Sequence, residues 1–342
     1  MTPSERAVAW WRAHRHRGLL GGAALALAAS FFDPGVTLQR PRFEHVVVLD
    51  VTQSMNVADM RLAGEPVSRL GYAKHALREA LLQLPCGSKI GWAIFTEYRS
   101  FLLLAPIEVC ANLDELRASL AQIGTPMAWA GNSEVAKGLH SALVIAKALP
   151  AKPSIVFITD GHEAPPLSPR FRPAFDDKPG EVPGLIVGVG DLRPVPIPKS
   201  DPQGRPLGFW RADEVLQTDP RSQGRGGSVQ NETMADDGAV NGPAGASAAA
   251  LGAMPGSEHL SALREGYLRL LAGEQGLAFT RLDAVPGLSL AWRAPALARL
   301  APARADARVA LAALALALLL VHFAVPWLRH AHRRARGSAR GR

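Results

Sequence analysis

The chain has 342 residues, with 38 Lys and Arg against 30 Asp and Glu for a net charge of +8, which first suggests a nucleic-acid binder. The excess sits at the ends: residues 1–17 carry +3 and residues 326–342 carry +6, leaving about −1 for everything between. No basic domain face remains, so nucleic-acid recognition loses its main support.

Each basic tail abuts an uncharged apolar run. Gly18–Phe32 has 15 residues, flanked by Trp10 and Trp11, and reads either as a short membrane span or as a secretory signal. Val309–Leu328 has 20 residues, long enough for a transmembrane helix. Arginines lie outside both runs, so the positive-inside rule predicts that both termini are cytoplasmic. Residues 33–307 would then face the other compartment, in a bacterium the periplasm. The expected order is a basic tail (1–17), an apolar anchor or signal (18–32), a domain (43–285), a membrane helix (309–328) and a second basic tail (329–342).

In chain order, Asp33–Arg42 is a Pro-containing linker. Val46, Val47, Val48 and Leu49 then run without a polar break into Asp50. Such a run, without alternation, predicts a parallel strand buried on both faces. Polar chemistry begins abruptly at its carboxyl end with Asp50, Thr52 and Ser54. In open α/β sheets ligands bind at that edge, and the three oxygens form the hard donor set that Mg²⁺ prefers. Alternatively, these residues only cap the next helix and order a loop.

After a loop at Met55–Pro66, the apolar spacing of Leu70, Ala73, Ala76, Leu77, Ala80, Leu81 and Leu84 predicts a helix over 68–84. Ile90–Phe95 and Phe101–Leu104 read as an antiparallel hairpin. Its outer ends carry the only cysteines, Cys86 and Cys110, which fit either a disulfide in an oxidising compartment or two buried thiols. Leu113–Ile123 and Ser133–Leu149 are helices. Ile155–Thr159 is a second buried strand that also ends in an acid, Asp160. Leu185–Val189 is a third, between proline-rich connectors at 165–183 and 194–206. Residues 198–258 read as a largely disordered insertion, rich in Gly and Ala at 224–256, with a partner-binding arm as the alternative. A helix from Leu260 ends at Gly276, and Leu277–Leu282 is the last strand. This order predicts a doubly wound, mostly parallel, Rossmann-like α/β sheet with one antiparallel edge strand and terminal membrane helices.

Asp50-x-Thr52-x-Ser54, Ser133 opening a helix, and Thr159-Asp160-Gly161 together resemble the metal-ion-dependent adhesion site of von Willebrand factor A (VWA) domains. That resemblance implies a bound Mg²⁺, with Mn²⁺ or Ca²⁺ as alternatives. Ser54 and Ser133 would be direct ligands, Asp50 and Asp160 direct or water-bridged ones, and Thr52 a support; Thr125 is the alternative to Ser133. It also implies an open coordination position for a partner's Asp or Glu, and so protein binding without catalysis. Residues 52–60, 84–88 and 161–166 are similar to the MxaL type of methanol dehydrogenase accessory protein, among membrane-anchored VWA proteins that work with MoxR-type AAA+ ATPases. The implied partners are other VWA proteins, such an ATPase and membrane lipid, and the implied role is maturation, including metal insertion, of a quinoprotein dehydrogenase. The alternative is a cell-envelope stress or aerotolerance-type VWA scaffold.

Rival chemistry is weaker. Asp50 as a phosphatase nucleophile would need a second carboxylate where Thr52 stands. Gly188-Val-Gly190 lacks the third glycine and helix of a dinucleotide loop. A serine nucleophile would need one of His45, His75, His140 or His162 as base. His162 is expected as a solvent-facing loop residue, with a contact to the site or to a partner as the alternative. Asp59 and Glu163 lie in loops expected to rim the site and read as surface charges; Met55, Met60 and Trp129 are expected as an apolar rim or loop packing.

Overall fold

The computed structural model describes residues 3–32, 35–128, 131–167, 172–201, 205–215, 232–234 and 258–338. The chain divides into two compact units, Pro41–Leu300 and the combined ends Met1–Arg40 and Ala301–Arg342. The main sheet is built from β1 (Gly35–Asp50), β2 (Lys89–Thr96), β3 (Arg99–Glu108), β4 (Ser154–Thr159), β5 (Gly184–Gly188), β6 (Ala278–Arg281) and β7 (Ala298–Asp306). Its order is β6-β5-β4-β1-β2-β3, with β7 also pairing with β1. β1 is parallel to β2 and β4, β4 to β5 and β5 to β6, while β2 and β3 are antiparallel. The predicted doubly wound sheet with one antiparallel edge is thus present.

Helices α2 (Arg69–Leu81), α3 (Leu113–Gln122), α4 (Val135–Ala148), α5 (Glu265–Gln275) and α6 (Val285–Ala291) cover the sheet. Successive β1 side chains point to opposite faces. Val47 and Leu49 pack with Leu70 and Leu77 of α2 and Leu116 of α3, whereas Val46 and Val48 pack with Leu139 of α4 and Leu268 of α5. Both faces are dry, which is why β1 carries no alternation. Burying each such aliphatic side chain contributes about 1.5–3 kcal/mol.

Several expectations are corrected. The linker at 33–42 is not irregular from Gly35 onward, because β1 begins there. The helix α6 and the strand β7 have no counterpart in the sequence reading. Residues 198–215 of the insertion are structured, with an antiparallel hairpin (Pro198–Ser200 with Pro206–Phe209) and a short turn of helix (Ala212–Val215). Glu232–Met234 pairs with Pro173–Phe175. The remainder of the insertion, and Trp129, lie outside the described residues.

The terminal apolar runs form α1 (Pro3–Ser30) and α7 (Arg308–Ser338). Among the described residues no helix is long and apolar enough to cross a membrane, so the two expected spans are not supported. For α1 the reason is visible in the chain: its N-terminal half carries the Arg-rich tail, and only Gly18–Ser30 is uncharged. The two helices pack on each other through Ala23, Ala26 and Ala315, leaving Leu25, Leu316, Leu320 and Phe323 exposed.

Candidate metal and docking site

The strand connections leave β1 toward β2 on one side and β4 toward β5 on the other, so the crevice between β1 and β4 is the topological switch point where α/β sheets bind ligands. Leu49 stands opposite Ile158 in the register, which sets Asp50 beside Thr159. Thr159 Oγ1 donates to Asp50 Oδ2 at 2.6 Å. Asp50 Oδ1 accepts from the Thr52 backbone N–H at 2.9 Å and from Thr52 Oγ1 at 2.6 Å. Thr52 Oγ1 lies 3.2 Å from Ser54 Oγ. The alternation Asp50-x-Thr52-x-Ser54 works because a 3₁₀ turn at Gln53–Asn56 follows the strand at once and folds the hydroxyls back over its end.

Ser133 reaches the same place from another loop. It exchanges both backbone hydrogen bonds with Ala164, at 2.8 and 2.9 Å, so it is fixed to the loop that follows Asp160. Gly161 has φ +76°, and a Cβ there would press on Leu268 and Arg264. Only glycine makes this turn without strain, and the turn lets the His162 N–H reach Asp160 Oδ1 at 2.9 Å. Asp50, Thr52, Ser54, Ser133 and Asp160 are therefore all brought to one edge, and all are buried. Thr125 sits in a separate 3₁₀ turn and does not line the cavity described below.

Three residues expected on the surface are not there. Asp59 pairs with Arg69, a residue the sequence analysis did not single out. Arg69 is fully buried; its Nη2 lies 2.6 Å from Asp59 Oδ2 and its Nη1 lies 2.5 Å from Asp160 Oδ2. Nη1 also donates to Ser261 Oγ at 2.6 Å, and Ser261 Oγ to Asp160 Oδ2 at 3.0 Å. Gly190, at φ +126°, leaves room for this guanidinium, where a Cβ would meet its Nε at 2.6 Å. Glu163 is buried under α4: its Oε1 accepts from the Val135 N–H at 2.9 Å and from the Tyr267 hydroxyl at 2.6 Å, capping the helix from outside. His162 is only 4% exposed. A charged residue in a helix's first turn, at the edge of an apolar face, was the one available signal for Arg69. The partners of Glu163 lie in α4 and α5, so nothing local marked its burial; the His162 N–H bonds locally to Asp160, but its Nδ1 is buried without a hydrogen-bond partner.

Electrostatics follow from burial. Asp50 is pushed up to about 7, first by desolvation and then by the charge of Asp160, against the hydroxyls of Thr159 and Thr52. Burial also raises Asp160, but Arg69, His162 and the Ser54 hydroxyl outweigh it and hold the carboxyl below its usual range. Burial lowers His162 to about 4 and raises Glu163 to about 8.

A cavity of about 130 Å³ opens over this edge, lined by Thr52, Ser54, Ser133 and His162 with Trp210 and Glu258 from beyond Pro194. Ser133 Oγ is buried there and has no hydrogen-bond partner. A buried hydroxyl of this kind calls for an explanation such as an ion. Among the described residues no group of three or more His, Cys, Asp or Glu is spaced to hold a metal. The donor set is two mutually repelling carboxylates with three hydroxyls, one of them unsatisfied. That chemistry fits a hard divalent cation retaining waters, and not a soft-metal site.

Residues 45–162 match the von Willebrand factor type A domain. All five residues of the resemblance fall within the matched segment. No curated protein matches the chain. Among solved structures it is similar to an aerotolerance-related membrane protein from Bacteroides fragilis NCTC 9343, at 17% identity over 74% of this chain and 98% of that one, with a TM-score of 0.45. An uncharacterized membrane-spanning protein from Vibrio fischeri is 15% identical over 72% and 94% of the two chains, with a TM-score of 0.27. The PilB minor pilin from Streptococcus sanguinis is 14% identical over 76% and 60%, with a TM-score of 0.38. Likenesses this distant carry no functional argument.

Proposed function

We propose that this chain is a VWA docking module that binds a partner protein through a divalent ion and performs no catalysis of its own. The observation that carries this reading is the unpartnered, buried Ser133 Oγ of a cavity that Ser54 also lines. Ser54 and Ser133 would contact Mg²⁺, with Thr52 orienting Asp50 and Arg69 holding Asp160. When bound, the ion supplies an open coordination position for a partner's carboxylate. Arg69 already neutralises one of the two acids, so few net charges surround that position. The enzyme reading is disfavoured because both Asp50 oxygens accept short hydrogen bonds and Ser133 Oγ has no base against it.

The compartment in this reading is the periplasm, and the Cys86–Cys110 bond supports an oxidising environment. The exposed leucines of α1 and α7 favour contact with lipid. The role is maturation of a partner enzyme, with a quinoprotein dehydrogenase as the first client to test and a MoxR-type ATPase as co-worker, both on the sequence resemblance alone.

The test is thermal unfolding of the full-length chain against Mg²⁺ concentration. Saturation at about 100 times Kd should add roughly 2.7 kcal/mol of stability, and Ser133→Ala should abolish the gain. A wild-type chain indifferent to Mg²⁺, Mn²⁺ and Ca²⁺ would sink the ion-docking reading.

A further inference from the structure

The cavity's roof comes from Ile197, Trp210, Glu214, Val215 and Glu258, in stretches the sequence analysis read as a proline-rich connector and a largely disordered insertion. Residues 195–196 pair with 260–261, Ile197 N–H donates to the His259 carbonyl at 2.9 Å, and Trp210 N–H to the Ile197 carbonyl at 3.0 Å. The Trp210 indole donates to Gln53 Oε1, between Thr52 and Ser54. Ser261, bonded to Asp160, pins the strand only three residues after Glu258. Two roof carboxylates line the cavity, and they differ. Glu214 is satisfied by Lys199 Nζ at 3.0 Å and by the Arg211 N–H at 3.2 Å. Glu258 is 9% exposed, and its buried Oε2 has no partner.

Glu258, whose buried Oε2 has no hydrogen-bond partner, therefore lines the same cavity as Ser133, whose buried hydroxyl has none either. Burying a carboxylate oxygen without a partner is costly, and a cation shared with Ser133 and Ser54 removes that cost. We propose that Glu258 is a ligand carried by the chain itself. It takes the position at the ion that a partner's acid would take, and a docking partner must displace it. This rests on the ion-binding reading above. The site would thus be closed at rest, its partner selected by whether an incoming carboxylate outcompetes a tethered one. Glu258 is then a built-in competitor.

The experiment uses the full-length chain with Mn²⁺ as probe, its affinity measured by electron paramagnetic resonance and its bound waters by water-proton relaxation. Glu258→Gln should bind Mn²⁺ about tenfold more weakly, since one charged ligand is lost. The bound ion should also gain relaxivity as water enters the freed position, and added acetate should suppress that gain. Melting in EDTA, with the variant at least as stable as wild type because the uncompensated charge is gone, checks that the fold is intact. If Ser133→Ala loses Mn²⁺ while Glu258→Gln keeps wild-type affinity and relaxivity, the internal ligand is refuted and the ion site stands. If the wild type binds no Mn²⁺, both fall.

Discussion

Replacing Arg69 by Met tests the electrostatic frame of the site most directly. The guanidinium is fully buried and is the charge partner of two carboxylates: Nε and Nη2 hold Asp59 at 2.6–3.1 Å, and Nη1 holds Asp160 at 2.5 Å. Methionine refills much of the side chain's apolar volume, so the loss is mainly one of charge. Removing one partner of a buried ion pair costs about 3–5 kcal/mol, because the other charge stays buried and uncompensated. Against a usual domain stability of about 5–15 kcal/mol, that is a large fraction. Urea unfolding at pH 7 should show the midpoint falling with the slope unchanged. Arg69→Lys should fall between the two, keeping the charge but not the fork. The pH dependence has a definite sign. Asp160 is held below its ordinary 3.8 in the fold, so its contribution is present above that value and lost as pH falls through the lower, folded one. The gap between wild type and Arg69→Met should therefore narrow below about pH 4. A loss under 1 kcal/mol at pH 7, or a gap that widens in acid, would refute the reasoning.

Two further predictions concern the frame around the site. His45, bonded to Ser154 and to the Trp292 carbonyl, is lowered by burial from 6.5 to about 4. Its contribution is complete above pH 6.5 and is lost as pH falls toward 4, on the order of 3 kcal/mol. A His45→Gln variant should unfold with a visibly flatter pH dependence across that window in thermal melts; an unchanged slope there would count against the assignment. Cys86 and Cys110 are 24 residues apart in sequence and joined. Changing both to Ser should cost roughly 3 kcal/mol through the freed unfolded chain, measured by urea unfolding against wild type with and without reductant. Equal stability in all three samples would show that the bond does not form in solution.

The sequence by itself determined the sheet and the chemistry at its edge. Unbroken apolar runs at Val46–Leu49 and Ile155–Ile158 require two covered faces, and acids at their ends must then lie at one edge of a parallel sheet. That logic is local, since side-chain type and period are written in the run itself. Tertiary structure decided what surrounds those acids. Arg69 reads as one polar residue at the start of a helix, and only the fold turns it between Asp59 and Asp160. His162 and Glu163 follow Asp160 in a loop and look solvated, but α4 and α5 close over Glu163, and His162 lines the cavity with Trp210 and Glu258. Glu258 and Trp210 come from an insertion whose composition reads as largely disordered, yet both residues line the cavity, and 195–196 pair with 260–261 nearby in sequence. Burial, and with it every pKa shift in the site, depends on which distant elements meet, and residue spacing along one strand carries no record of that.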